Sequence, residues 1–118
     1  MSYGIAVEVP ERNTLLTWEA IYDIADMAEY MEAEFGIDRA DEFQNDIKAQ
    51  ISLLGSKNIV FGRTQIYYRN YAIHKKPFPP TIIFYVIIEQ EIHILRVLRE
   101  ERDWESVLRK EQKYTYPN

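Results

Sequence analysis

The side chains best placed to do chemistry are five cations in the second half of the chain: Arg69, Lys75, Arg96, Arg99 and Arg102. Residues 60–118 hold ten Lys/Arg against seven Asp/Glu, whereas residues 1–59 hold four against twelve. A basic half within a chain of net charge −5 reads either as one face for an anionic partner or as solvated helix faces plus chance. Catalysis on a phosphate would also need a base near those cations, because charge must be stabilised where a proton is removed. Around the final strand and helix the residues are Trp104, Glu105 and Ser106, and none of them is a Tyr or His. His93 falls inside the last strand. His74 adjoins a proline-rich segment, where surface placement is the ordinary expectation. Tyr114 and Tyr116 belong to a polar tail. With no cysteine there are no disulfides and no thiolate chemistry, which fits a reducing compartment.

The elements that must position these groups follow from periodicity. Tyr3 to Val9 is β-prone and ends at Pro10, so it reads as a first strand, with a turn from Pro10 to Asn13. Asn13 or Thr17 caps the helix that follows. In it Ile21, Ile24, Ala28, Met31 and Phe35 recur at 3, 4, 3, 4 and form one apolar stripe. Asp23, Asp26, Glu29 and Glu32 lie off that stripe, on the expected wet side. Gly36 ends the helix. A second helix, capped by Asp38, presents Ala40, Phe43, Ile47, Ile51 and Leu54 and closes at Gly55. So short a link makes the two an antiparallel hairpin.

Arg63 to Lys75 alternates as one strand, and Lys75 to Pro80 reads as a break, since proline cannot donate to a ladder. Thr81 to Ile88 is apolar on both faces, which predicts a central strand. Glu89-Gln90-Glu91 is a turn, Ile92 to Arg99 the last strand, and Asp103 starts a short helix with Trp104, Val107 and Leu108 facing inward. The predicted class is α+β: an N-terminal strand, a helical hairpin on one sheet face, an antiparallel three-stranded meander and a short C-terminal helix. Residues 1–118 are expected to form one domain with a mobile tail over 110–118. Arg96, inside an apolar strand, is expected to pair with a carboxylate, Asp103 or Glu105. No basic, apolar leader is visible at the N-terminus and the longest apolar run, Ile82 to Ile88, is too short to cross a bilayer. A cytoplasmic protein without metal or cofactor is the expectation.

Several stretches together resemble the RelE/ParE toxin superfamily, the toxin halves of type II toxin–antitoxin modules. They are Trp18-Glu19-Ala20-Ile21-Tyr22-Asp23-Ile24-Ala25, Tyr68-Arg69-Asn70-Tyr71-Ala72-Ile73, Ile83-Phe84-Tyr85-Val86, and Ile94-Leu95-Arg96-Val97-Leu98 followed by Arg102-Asp103-Trp104. The likeness runs from about Tyr3 to Leu108 and is closer to the ParE-like branch. Two departures stand out. Arg99 replaces the histidine common after Arg-Val-Leu, and Lys75 to Pro80 replaces a Gly-Arg-Tyr turn.

The resemblance implies a cognate antitoxin whose C-terminal segment wraps the toxin, and a homodimer or toxin–antitoxin hetero-oligomer. On the ParE-like side it implies growth inhibition by binding DNA gyrase, a function that needs a surface and no catalytic group. On the RelE-like side it implies ribosome-dependent mRNA cleavage, in which the cations stabilise the phosphate and a C-terminal Tyr or His acts on the 2′-hydroxyl. Ribosome work usually draws its affinity from cations, and the overall charge of −5 runs against it. A toxin fold that has lost toxicity and serves as a binding module is the third alternative.

Overall fold

The computed structural model describes residues 12–56 and 60–117. The expected strand from Tyr3 to Val9 lies outside them. The described elements are β1 (Asn13–Leu16), α1 (Trp18–Phe35), α2 (Ile37–Gly55), β2 (Arg63–Tyr68), β3 (Tyr71–Phe78), β4 (Thr81–Ile88), β5 (Glu91–Arg99) and α3 (Trp104–Lys110). They build an α+β fold around one five-stranded sheet of order β1-β5-β4-β3-β2. β1 runs parallel to β5, and the other neighbours are antiparallel.

β4 holds the centre, as its two apolar faces require: all six residues from Thr81 to Val86 are buried. Ile83 and Tyr85 face the helical hairpin, packing with Ala20, Met27, Met31, Phe43 and Ile47. Ile82, Phe84 and Val86 face the other way, toward Leu108 of α3 and Tyr114. The α2 stripe Ala40, Phe43, Ile47, Ile51 and Leu54 is buried throughout. In α1 the buried set is Ala20, Met27, Ala28 and Met31, while Phe35 at the hairpin tip is 63% exposed.

Thr17 caps α1, its hydroxyl accepting from the Ala20 amide at 2.9 Å and donating to the Leu95 carbonyl at 2.8 Å. One buried side chain thus both starts the helix and ties it to β5. Asn13, the other cap candidate, lies instead in β1.

Three expectations about the strands and the tail are corrected. Arg63 to Lys75 is not one strand: a turn at Arg69-Asn70 divides it, so the meander has four strands rather than three. Arg69 takes a left-handed φ of 57° there, and the hairpin twist favours that conformation. Its polar side chain also fits strand alternation, which is why the turn carried no signal. The break expected over Lys75 to Pro80 shrinks to Pro79-Pro80, because β3 continues through Lys75, Lys76 and Pro77 to Phe78. Pro77 is tolerated because the β2–β3 pairing has ended at Arg63↔His74, so no ladder bond is lost on that side.

The tail, expected to be mobile from Lys110 onward, is docked: Lys110 closes α3, and residues 111–117 lie back across the start of α1. The Trp18 amide donates to the Thr115 carbonyl at 2.8 Å. Tyr114 is buried edge-on against Tyr68 at 5.0 Å. No described helix is long and apolar enough to cross a membrane.

Candidate functional site

β5 carries most of the candidate chemistry, and a bulge within it decides where that chemistry points. Phe84 pairs with Arg96, but Tyr85 pairs with Ile94, so Leu95 is the extra residue. Before the bulge Ile92 and Ile94 face the helical hairpin; after it Val97 does, an odd-numbered residue. Strict alternation would have placed Arg96 and Val97 on each other's faces.

The bulge leaves Arg96 mostly buried, its side chain 12% exposed. Its Nε and Nη2 donate to the two carboxylate oxygens of Asp23 at 2.7 and 2.8 Å, and its Nη1 donates to Glu111 at 2.7 Å. The Val97 amide donates to the same Asp23 at 2.9 Å. Burial pushes the Asp23 carboxyl up from its ordinary value, with Arg96 and the Val97 amide pulling against it. Asp23, aided by Glu111, in turn holds Arg96 firmly charged. The partners expected from sequence, Asp103 and Glu105, are not used: Asp103 caps α3 and Glu105 lies 4.0 Å from Arg109. Periodicity alone puts Asp23 on the wet side of α1. Its spacing, three after Ala20 and four before Met27, was the signal that it flanks the buried stripe. Glu111, in the supposed tail, gave none.

Arg99 and Arg102 stand together at the C-terminal end of β5. They line a cleft of about 200 Å³ with Asp23, Asp26, Tyr30 and Thr81. Arg99 lies over the Tyr30 ring at 4.5 Å and pairs with Glu101 at 2.6 Å. Both arginines are exposed, so this lip of the cleft offers charge to an incoming surface.

The remaining candidates do not join them. Lys75 lies in mid-β3 with its Nζ 5.3 Å from the centre of the Trp104 ring. Arg69 occupies the β2–β3 turn, over Tyr68 at 5.2 Å. That turn and the Arg99 end are separated by the length of β3, on the order of 20 Å or more for eight residues. Thus the structure brings together Arg99 and Arg102, uses Arg96 internally, and leaves Lys75 and Arg69 apart.

A second constellation lies at the Arg69 end. His93 Nε2 sits 3.0 Å from a Glu91 carboxylate oxygen and Nδ1 2.7 Å from the Tyr116 hydroxyl. A carboxylate only accepts, so Nε2 carries a proton; in the neutral ring Nδ1 then accepts from Tyr116. Burial raises the Tyr116 phenol to about 12. Arg69 is near enough for its charge to act on that phenol in the opposite sense. Tyr116, His93, Leu15, Leu16 and Ile21 line one open groove. Sequence placed His93 only within a strand; the tail had to fold back to give it a partner. His74, by contrast, is no surface residue: it is buried, hydrogen-bonded through Nδ1 to the Phe61 carbonyl at 2.7 Å and stacked on Tyr85.

Against known proteins, residues 15–104 match the family profile described as the ParE toxin of the type II toxin–antitoxin system parDE. The chain belongs to the ParE toxin family. Among solved structures, one titled the chromosomal ParDE system from P. aeruginosa superposes with a TM-score of 0.65 at 22% sequence identity. The match covers 77% of this chain and 98% of that one. At that identity the likeness concerns the fold, and it agrees with the α+β order found here. A search of curated protein sequences found no significant match. As a ParE-family toxin, the chain is one half of a two-component module, and a cognate antitoxin is the partner that membership implies. The family match runs from within β1 to the first residue of α3, so the docked tail and its Tyr116–His93 contact lie partly beyond it.

Proposed function

We propose that this ParE-family protein stops growth by binding DNA gyrase, and that its antitoxin prevents this by covering the toxin. The observation that carries the reading is the dispersal of the cations. Arg99 and Arg102 form an exposed lip, Arg96 is consumed by Asp23 and Glu111, and among the described residues no histidine lines the cleft, whose carboxylates are Asp23, held by Arg96, and Asp26. A binding toxin needs only such a surface, whereas phosphate chemistry needs cations and a base around one reacting atom.

A second reading, ribosome-dependent mRNA cleavage, is favoured by one observation, the Tyr116–His93–Glu91 chain with Arg69 beside it. There a hydroxyl, an orienting imidazole and a carboxylate stand in series. The raised Tyr116 phenol counts against its acting as a base near neutrality. The third reading, a non-toxic binding module, rests on Arg99 standing where the resemblance has histidine.

Inducible expression in a bacterial host separates the three, with growth, messenger integrity and DNA-damage signalling followed together. The gyrase reading expects arrest, damage signalling and intact messenger, relieved by reversing Arg99 and Arg102 to glutamate and unaffected by Tyr116→Phe. Rapid messenger loss that Tyr116→Phe abolishes would establish cleavage instead. Soluble protein without arrest would leave the binding module.

A further inference from the structure

We infer that the outer face of α1 is a docking surface for a basic amphipathic helix of a protein partner. The inference is independent of whether gyrase is the target. Trp18 and Tyr22 are 39% and 60% exposed, and their rings stack on each other at 5.8 Å with an interplanar angle of 20°. Two large aromatic rings held side by side in water gain little for the fold from most of their area, and such paired anchors are characteristic of interfaces. At about 100° per residue, Ala25, Glu29 and Ala33 fall on the same side of the helix as this pair, flanked by Asp26 and Glu32. All five are exposed. The face therefore has an aromatic platform at one end, small residues along the middle and carboxylates at the other end. Alanines at the crossing let a second helix axis approach to within about 8–10 Å.

Charge selects the occupant. α1 contains six acidic residues, Glu19, Asp23, Asp26, Glu29, Glu32 and Glu34, and no basic one. Asp23 is spoken for by Arg96 and Glu19 by Thr115. Asp26, Glu29 and Glu32 form no ion pair among the described residues. Glu32 and Glu34 also sit in the last turn of the helix, where the dipole disfavours negative charge and no basic residue offsets it. A partner bringing Lys or Arg to this end relieves that conflict, and a further cation can rest on the Trp18–Tyr22 platform. An acidic partner would meet repulsion from Glu29 and Glu32, which form no ion pair among the described residues.

The chain has two tryptophans, so Trp104→Phe leaves Trp18 as a single reporter at the proposed surface. The probe is an amphipathic helical peptide of leucine and lysine, about 18 residues or five turns long. A leucine–glutamate peptide of the same pattern serves as control. Titration with the lysine peptide is expected to shift Trp18 emission and saturate. Affinity should fall at least tenfold in Tyr22→Ala, which keeps the charge, and at least tenfold in Asp26→Lys/Glu29→Lys, which keeps the platform. Calorimetry on the unsubstituted chain gives the same affinity should Trp104→Phe disturb packing on Phe84. Equal binding by Tyr22→Ala would reduce the effect to diffuse charge attraction and overturn the proposal. So would binding of the glutamate peptide as tight as that of the lysine peptide, or no saturation by about 1 mM peptide. A Trp18 shift that tracks protein concentration without peptide would make a second copy the occupant and also overturn it.

Discussion

Replacing Asp23 by alanine is expected to destabilise the protein far more than replacing any other acid of α1. The substitution removes two hydrogen bonds from the Arg96 guanidinium and one from the Val97 amide, and leaves Arg96 with Glu111 alone. Asp23 and Arg96 are 10% and 12% exposed, so solvent cannot replace what is lost. Removing one partner of such a buried pair costs about 3–5 kcal/mol. The surviving Glu111 contact places Asp23→Ala toward the lower limit, about 3 kcal/mol. At roughly 4 °C per kcal/mol for a chain of this size, Tm should fall by about 12 °C. Urea unfolding of the single variants and of Asp23→Leu/Arg96→Met closes a double-mutant cycle. The double variant should recover part of the loss, because the desolvation of both charges is removed together with their attraction, while the Val97 amide and Glu111 still lack a partner. The coupling should then be at least about 2 kcal/mol. A loss under about 1 kcal/mol for Asp23→Ala, or a double variant as damaged as the sum of the two singles, would refute the assignment of Arg96 to the interior. If the chain arrests growth as proposed, a double variant that folds and still does so would also remove Arg96 from the five candidate cations for target binding.

Three further outcomes are expected. Thr17→Ala removes both the α1 cap and the bond to Leu95, and should cost about 1–2 kcal/mol in urea unfolding, with Thr17→Ser recovering most of it. Glu19 accepts from the amide and hydroxyl of Thr115; burial would raise its carboxyl, but these bonds prevail and hold it below its ordinary 4.5. Its contribution is therefore present above that value and lost as pH falls through the lower folded one. Protection of the Thr115 amide, its exchange corrected for the intrinsic pH dependence, should fall on acidification in the parent and be insensitive to that step in Glu19→Gln. Gly55→Ala would put a Cβ 2.7 Å from the Arg12 carbonyl oxygen and the Thr14 hydroxyl, so the end of α2 must move off β1. A loss on the order of 1–3 kcal/mol by thermal melting is the expectation.

Local pattern alone specified several features of this chain. The 3–4 spacing in α2 dictated its buried face, Asn13 and Thr17 were the two candidates to start α1, of which the structure uses Thr17, and the unbroken apolar run of β4 dictated the centre of the sheet. The order of elements, together with the words around Trp18 and Leu-Arg-Val-Leu, was enough to point to the family. Tertiary structure decided the rest, wherever a residue's role depends on something distant in the chain. Arg69-Asn70 alternates like strand residues, and only pairing of Tyr68 with Tyr71 makes it a turn. The Leu95 bulge exists through its register with β4, and the carboxylate that Arg96 meets lies 73 positions away. Glu111, Thr115 and Tyr116 read as a solvated tail until Arg96, Glu19 and His93 are there to receive them. Periodicity reports which side of an element meets apolar matter. The partner of a buried charge is chosen by chain geometry across the whole fold, and no local spacing encodes it.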